Sequence, residues 1–142
     1  MSNVYLFKST KFQIEPGEDN ETNPRRYGRQ LALWLKSECA RLGYNVEDVI
    51  AEDWGWCVMC QREPFLLWIG CGNQDDSQAA SESDPPPQAS DLIWQCFTAA
   101  EVPFFKRLFK KMDTSQSLVK LDSELSQILK SENSIQFVEE LE

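Results

Sequence analysis

The chain of 142 residues suits a single domain over residues 1–142, with one hydrophobic core. Apolar residues make up 42% of it and aromatic residues 11%, which excludes a chain that is disordered throughout. The net charge of −9 repels phosphate backbones and anionic lipid headgroups, so we expect no binding to nucleic acid or to membranes.

A strand and a helix are predicted in the first third of the chain. The run from Val4 to Ile14 is rich in aromatic and β-branched residues, which favours a strand that ends before Pro16. Asn23, Pro24 and Gly43 then have the residue types that cap, start and terminate a helix. Apolar residues between Pro24 and Gly43 recur at steps of three and four, so we expect one helix with an apolar face.

The segment from residue 52 to residue 72 predicts the centre of a sheet. Two apolar runs, Trp54–Cys60 and Phe65–Cys71, flank a short polar turn, and this pattern is typical of an antiparallel hairpin. Strand alternation would place Trp54 and Trp56 on one face of the first run. Both faces of the second run are apolar, so we expect this strand to be central and at least partly covered on both sides.

The second half of the chain predicts a loop, a strand and helices. Residues 73–90 are acidic and Pro-rich, which indicates a flexible loop within the domain. Residues 92–97 predict another strand, helices are expected over 104–112 and 115–130, and 135–141 fit either a short strand or a helical tail. The order of elements indicates an α+β fold, in which a mainly antiparallel sheet of about four strands packs against the first helix and the C-terminal helices.

Targeting signals are not evident in the sequence. No apolar run approaches the ~18 residues that a membrane-spanning helix needs. The first residues lack the basic and apolar regions of a secretory signal, so we expect a cytoplasmic location.

Histidine is absent from the sequence. The chain therefore lacks imidazole for nucleophile activation, for acid–base catalysis and for zinc binding, and we do not expect an enzyme. The spacing of Cys57 and Cys60 matches that of zinc and dithiol sites, but residues three apart in a strand point to opposite faces. We interpret all five cysteines as buried thiols and expect neither a metal nor a cofactor.

Acidic residues are concentrated in three predicted loops: four in residues 15–21, four in 47–53 and four in 75–84, which makes twelve of the chain's 23. If these loops lie at one end of the sheet, they form an acidic rim that attracts a basic protein surface. None of them has the alternating ligands and central glycine of a calcium-binding loop. An ordinary solvated surface is the simpler explanation of the same pattern.

The run Glu52-Asp53-Trp54 is the best candidate within this rim, because an aromatic ring beside carboxylates suits a cationic group of a partner. The alternative is that Trp54 belongs to the core. We therefore predict a protein that binds a partner with a basic surface, as an inhibitor, immunity protein or accessory factor does. The predicted partner-binding residues are Glu18, Asp19, Glu47, Asp48, Glu52, Asp53 and Trp54.

Two other functions stay open at this point. A small-ligand-binding domain would have a Trp-lined pocket between the sheet and a helix. An enzyme would have to use carboxylates or a thiol.

Overall fold

The computed structural model of the chain describes residues 4–74, 85, 87–108 and 111–138. Its strands and helices are β1 (Val4–Ser9), α1 (Arg29–Arg41), β2 (Ile50–Glu52), β3 (Gly55–Gln61), β4 (Leu66–Asn73), β5 (Trp94–Glu101), α2 (Phe104–Arg107), α3 (Ser115–Ser131) and β6 (Ile135–Phe137). The strands form one antiparallel sheet in the order β2-β3-β4-β5-β1-β6. The predicted α+β class is confirmed.

The sheet has six strands in the described residues rather than about four, and this part of the prediction is wrong. The two additional strands, β2 and β6, lie at the edges of the sheet and have three residues each. Three residues are too few to show a period-two alternation, so the sequence pattern does not identify either segment as a strand. Residues 135–141 were compatible with a strand or a helix, and the structure shows the strand β6 over Ile135–Phe137.

Helix α1 begins at Arg29, later than the predicted start at Pro24. The preceding turn bonds to the end of β4 instead of continuing the helix. The buried side chain of Asn73 accepts a hydrogen bond from the Tyr27 N–H (2.9 Å) and donates one to the Arg25 carbonyl (3.3 Å). These bonds take backbone groups that a longer helix would use, so the helix starts only after Gly28.

The predicted end of this helix at Gly43 is confirmed. Gly43 has a φ of +101°, which an L-residue adopts only with strain. The Gly43 N–H donates to the Ala40 carbonyl (3.1 Å) and the Tyr44 N–H donates to the Cys39 carbonyl (3.1 Å). This pair of bonds is the Schellman arrangement, which satisfies the last carbonyls of a helix.

Both long helices pack on the same face of the sheet. Leu31 and Leu35 of α1 and Leu125 of α3 are fully buried in one core cluster with inward residues of β3, β4 and β5. The position of α3 is fixed further by Asp122, whose carboxylate accepts hydrogen bonds from the Tyr5 and Thr98 hydroxyls, at 3.0 and 3.4 Å. We call this side of the sheet the helix-covered face.

Some of the predictions fall on residues outside the described part. Most of the predicted loop 73–90 lies there, so its flexibility stays a prediction. The predicted helix over 104–112 is represented by α2, with residues 109 and 110 outside the description. Of the helices that the structure describes, none combines the length and the apolar character needed to cross a membrane.

Candidate functional site

The second face of the sheet is built around glycine. Strand alternation and register place Cys57, Trp68, Gly70 and Phe97 on the side away from α1 and α3, which we call the aromatic face. Gly70 pairs with Cys57 on one side and with Phe97 on the other. A Cβ added to Gly70 would lie 2.4 Å from the Phe97 ring, so the ring rests directly on the glycine backbone. Gly70 therefore provides the floor for a large side chain of the next strand.

Three aromatic rings, Trp54, Trp68 and Phe97, contact one another on this face, and we call them the aromatic cluster. Trp54 stacks on Trp68 with ring centroids 5.7 Å apart and planes inclined by 24°. Phe97 lies 5.6 Å from Trp54 and 5.7 Å from Trp68. Each of the three side chains is partly exposed. The cluster is thus held by its own contacts and still presents aromatic surface to solvent.

Trp54 is not where strand alternation predicted it. It lies in the turn between β2 and β3, and its ring packs on the aromatic face, opposite the nearly buried Trp56 (3% exposed). The expectation that Trp54 and Trp56 share one face is therefore wrong. The strand begins at Gly55, whose added Cβ would lie 2.3 Å from the Cys71 carbonyl oxygen, so the chain bends where only glycine fits.

Three carboxylates accompany the aromatic cluster. Register places Glu52 on the same face as Cys57, and Glu101 on the same face as Trp68. Burial, and then the charge of Glu52, raise the pKa of the Cys57 thiol to about 12. Asp53 precedes Trp54 in the turn and is exposed. Within residues 4–74, 85, 87–108 and 111–138, the side chains of these three acids make no hydrogen bond or ion pair.

Glu47 and Asp48, two further predicted site residues, are exposed but already paired. Arg62 donates two hydrogen bonds to the Glu47 carboxylate, and they lower the pKa of Glu47 below its usual value. The Lys36 ammonium lies 3.0 Å from the Asp48 carboxylate. A basic partner would have to compete with these internal cations for either acid.

Glu18, predicted to lie on the exposed rim, is buried and has a structural role. It is 3% exposed, and its carboxylate accepts hydrogen bonds from the N–H groups of Glu15 (2.9 Å), Gly28 (3.2 Å) and Arg29 (2.9 Å). Two of these donors belong to the start of α1, so Glu18 caps the helix from a distant loop. Burial raises the pKa of Glu18 although the three hydrogen bonds lower it. Glu18 is therefore not available to a partner.

Asp19 is partly buried and is also occupied by the backbone. Its carboxylate accepts a hydrogen bond from the N–H of Arg25, at 2.9 Å. Arg25 has a φ of +67°, and this bond helps to hold the unusual conformation. Asp19 is thus part of the turn before α1 rather than of the aromatic face.

The first two acidic loops do approach each other, around an open cavity of about 440 Å³. Its lining includes Glu15, Glu18, Arg29, Asp48 and Trp56. Arg29 occupies this region with a hydrogen bond to Glu15 (2.9 Å), and its guanidinium lies over the Trp56 ring at 5.8 Å. Charged residues therefore make up half of the ten described lining residues of this cavity, and Trp56 is the one tryptophan among them. The third acidic loop lies outside the described residues.

The cysteine pair with zinc-like spacing is divided between the two faces. Cys60 is buried in the core and Cys57 lies on the aromatic face, as a strand requires. The hydrogen bond with Cys39, and then burial, raise the pKa of Cys60. No group of three or more potential metal ligands is present in the part of the chain that the structure describes.

Trp68, Phe97 and Glu101 complete the site, and the sequence did not single them out. Alternation separates Trp68 and Gly70 from the inward residues of the same strand, and a glycine inside a strand is a signal of close approach. Which residue faces Gly70 depends on the register between β4 and β5, which the sequence pattern leaves open. The chain matches no protein-family model, and no curated protein or solved structure shows significant similarity to it.

Proposed function

We propose that the protein binds a partner protein with a basic surface, through the aromatic face. The aromatic cluster would lie at the centre of the contact, with Glu52, Asp53 and Glu101 around it. The observation that supports this proposal is the combination of partly exposed rings with carboxylates that have no partner in the described part of the chain.

The rings supply the binding energy in this proposal. Aromatic side chains contribute much of the energy of protein interfaces, because they offer a large apolar area with few rotatable bonds. The contacts among Trp54, Trp68 and Phe97 already restrict all three rings, and Gly70 fixes the position of Phe97. Little further ordering is needed on binding, which lowers its entropic cost.

The carboxylates supply the negative charge that attracts a basic partner in this proposal. Glu52, Asp53 and Glu101 can meet a cation without first losing an internal ion pair, unlike Glu47 and Asp48. With a net charge of −9, the chain as a whole also attracts a basic surface. This attraction acts over about 8 Å at physiological salt, so it raises the rate of association more than it holds the complex.

A binding role of the inhibitor, immunity or accessory-factor type fits these features, since such a protein acts by covering a surface of its partner. A thiol-dependent enzyme has less support, because all five cysteines are buried and a buried thiol does not meet a substrate. We also propose a cytoplasmic location, which stays a prediction.

The proposal can be tested with basic peptides and matched variants. Binding of a basic peptide, and of an acidic peptide of the same length, would be measured by calorimetry at low and at physiological salt. We expect the triple variant Glu52→Gln, Asp53→Asn, Glu101→Gln to weaken binding of the basic peptide about tenfold or more. The control variant Glu47→Gln, Asp48→Asn removes charges of the same sign elsewhere and should change binding less than about threefold.

Two results would contradict the proposal. Equal binding of the basic and acidic peptides would show that charge does not select the partner. Equal losses in the triple variant and in the control would show that the aromatic face is not the site. Thermal melts of both variants, which we expect to match wild type, separate these results from loss of folding.

Small-ligand binding is a second candidate, and the cavity beside α1 is the observation that favours it. Its volume of about 440 Å³ lies in the range of small-molecule sites. Leu33 lines this cavity, so Leu33→Trp should abolish binding of a small ligand there and leave binding of the basic peptide unchanged.

A further inference from the structure

The rings of the aromatic cluster are too close together to enclose a cation. A cation between two rings needs about 3.5 Å to each of them, which requires facing rings about 7 Å apart. The three centroid distances in the cluster are 5.7, 5.6 and 5.7 Å. A bound cation must therefore lie on the outer surface of the cluster, where it meets one flat ring face rather than a cage.

A flat ring face bordered by carboxylates suits a guanidinium better than an ammonium. A guanidinium is planar and weakly hydrated, so it stacks on an aromatic face and directs its N–H groups sideways to a carboxylate. An ammonium is a compact and strongly hydrated charge, which loses more solvation on an open apolar surface. Glu52 lies on the same face as the rings, and Asp53 is next to Trp54 in the chain.

The protein contains this arrangement elsewhere. The Arg29 guanidinium lies 5.8 Å from the centroid of the Trp56 ring and at the same time donates to the Glu15 carboxylate at 2.9 Å. Lys11 lies over Trp34 at 5.9 Å, but its ammonium remains 3.9 Å from the carboxylate of Glu132. At Tyr44, by contrast, an ammonium reaches both groups: Lys120 Nζ lies 5.1 Å from the ring centroid and 3.2 Å from the Glu124 carboxylate. The preference for arginine at the aromatic face therefore rests on its flat outer ring surface with carboxylates beside it, which matches the planar shape of a guanidinium.

We infer that the aromatic face recognises an arginine side chain of the partner. The guanidinium stacks on the outer surface of the aromatic cluster, and Glu52 or Asp53 accepts its N–H groups. This inference rests on the proposed function and narrows it, because it names the residue type that the basic partner must present.

The test uses Gly-Ser peptides of one length that carry arginine, lysine or glutamine at the same positions. Binding to the full chain is measured by calorimetry, and the site is located from the indole N–H signals in NMR spectra. We expect the arginine peptide to bind about tenfold more tightly than the lysine peptide. The indole signals of Trp54 and Trp68 should shift, and those of the buried Trp56 and Trp94 should not.

Variants test whether the preference for arginine over lysine depends on the rings of the aromatic cluster. Trp54→Leu should reduce the preference for arginine to about twofold, whereas Glu52→Gln should weaken both basic peptides and leave most of the preference. If Trp54→Leu does not fold, Trp68→Leu replaces it, since both indoles belong to the cluster.

The outcomes separate the two proposals. Equal binding of the arginine and lysine peptides, both above the glutamine peptide, would overturn the inference about arginine and leave the basic partner in place. Binding of all three peptides at the same level would overturn the proposed function itself. A preference for arginine that persists when both Trp54 and Trp68 are replaced would overturn the stacking geometry.

Discussion

On the helix-covered face, Trp56 and Ile69 lose almost all contact with water beneath α1, whereas on the aromatic face the rings of the aromatic cluster keep part of their surface exposed. Both sets of residues come from the same central strands or the turn beside them. Helices complete the burial on one side, and neighbouring rings over Gly70 provide it on the other. The difference shows how alternating residues of one sheet can serve stability on one face and recognition on the other.

Replacing one tryptophan on each face gives the largest expected contrast. Trp56→Ala should lower the free energy of unfolding by about 3–5 kcal/mol, because it leaves a cavity in a packed core. Trp54→Ala removes a ring whose neighbours are partly exposed. We expect the free energy of unfolding to fall by about 1–2 kcal/mol and the binding of the basic peptide to be lost. Urea unfolding gives both values.

Equal losses of unfolding free energy in the two alanine variants would contradict this comparison, because they would show that Trp54 contributes to stability as a core residue does. A Trp54→Ala variant that retains full peptide binding would instead remove the recognition role of the aromatic face.

The floor of the aromatic face is tested by Gly70→Ala. The new methyl group would lie 2.4 Å from the Phe97 ring, so the ring has to move and the cluster has to loosen. We expect the free energy of unfolding, measured in urea, to fall by about 1–3 kcal/mol and the basic peptide to bind more weakly. In the control Gly43→Ala, the new methyl group has no neighbouring atom within 4 Å. Its free energy of unfolding should still fall by about 1–2 kcal/mol because φ is positive at this residue, and the variant should bind the peptide normally. Normal peptide binding by Gly70→Ala would mean that the cluster does not depend on its floor.

Glu18→Gln tests whether this acid belongs to the scaffold, as its burial implies. At neutral pH the change should lower the free energy of unfolding by about 1–3 kcal/mol, since the amide nitrogen cannot accept a hydrogen bond from an N–H donor, whereas both carboxyl oxygens can do so whether or not the group is protonated. The pKa of Glu18 is raised above 4.5 in the folded protein, so the folded state binds this proton more tightly than the unfolded chain does.

The stability of wild type relative to Glu18→Gln should therefore rise as the pH falls from neutral towards 4.5, and it should decline as the pH rises through the folded pKa. Urea titrations at a series of pH values measure this difference. A difference that grows with rising pH would mean that the three hydrogen bonds outweigh burial.

The smallest effect on stability is expected for charge reversal beside the cluster. Glu52→Lys with Asp53→Lys should change the free energy of unfolding by less than about 0.5 kcal/mol, because neither side chain has a partner in the described residues. Association with the basic peptide should nevertheless slow, and its salt dependence should weaken. Stopped-flow rates at several salt concentrations measure both. Unchanged association rates would contradict a role of these two acids in docking the partner.

The strong periodic segments were predictable from the sequence. The hairpin of β3 and β4, the end of α1 at Gly43 and the helix α3 follow from alternation, a glycine terminator and an apolar stripe. The start of α1 was not predictable, because it depends on Asn73 of β4 and on Glu18 of the preceding loop, which bond to it from outside the helix. A local pattern cannot show that a side chain from another element takes the bonds of a turn.

The site was predictable only in part, for the same reason. Glu52, Asp53 and Trp54 stood out because they are adjacent in the sequence. Phe97 joins them only through the register between β4 and β5, and the face chosen by Trp54 is decided by the turn that ends at Gly55. Glu18 was misplaced because composition cannot distinguish a solvated acid from one that caps a helix.

The five free thiols also divide between the two faces and can serve as built-in reporters of local opening. Cys57 lies on the aromatic face, whereas Cys39, Cys60, Cys71 and Cys96 belong to the helix-covered core, and all five are buried. A thiol reagent can reach each one only when its surroundings transiently unfold, so labelling rates measure the free energy of that opening. If the aromatic face moves independently of the core, Cys57 will react first. If the sheet opens only as a whole, all five will react at one rate.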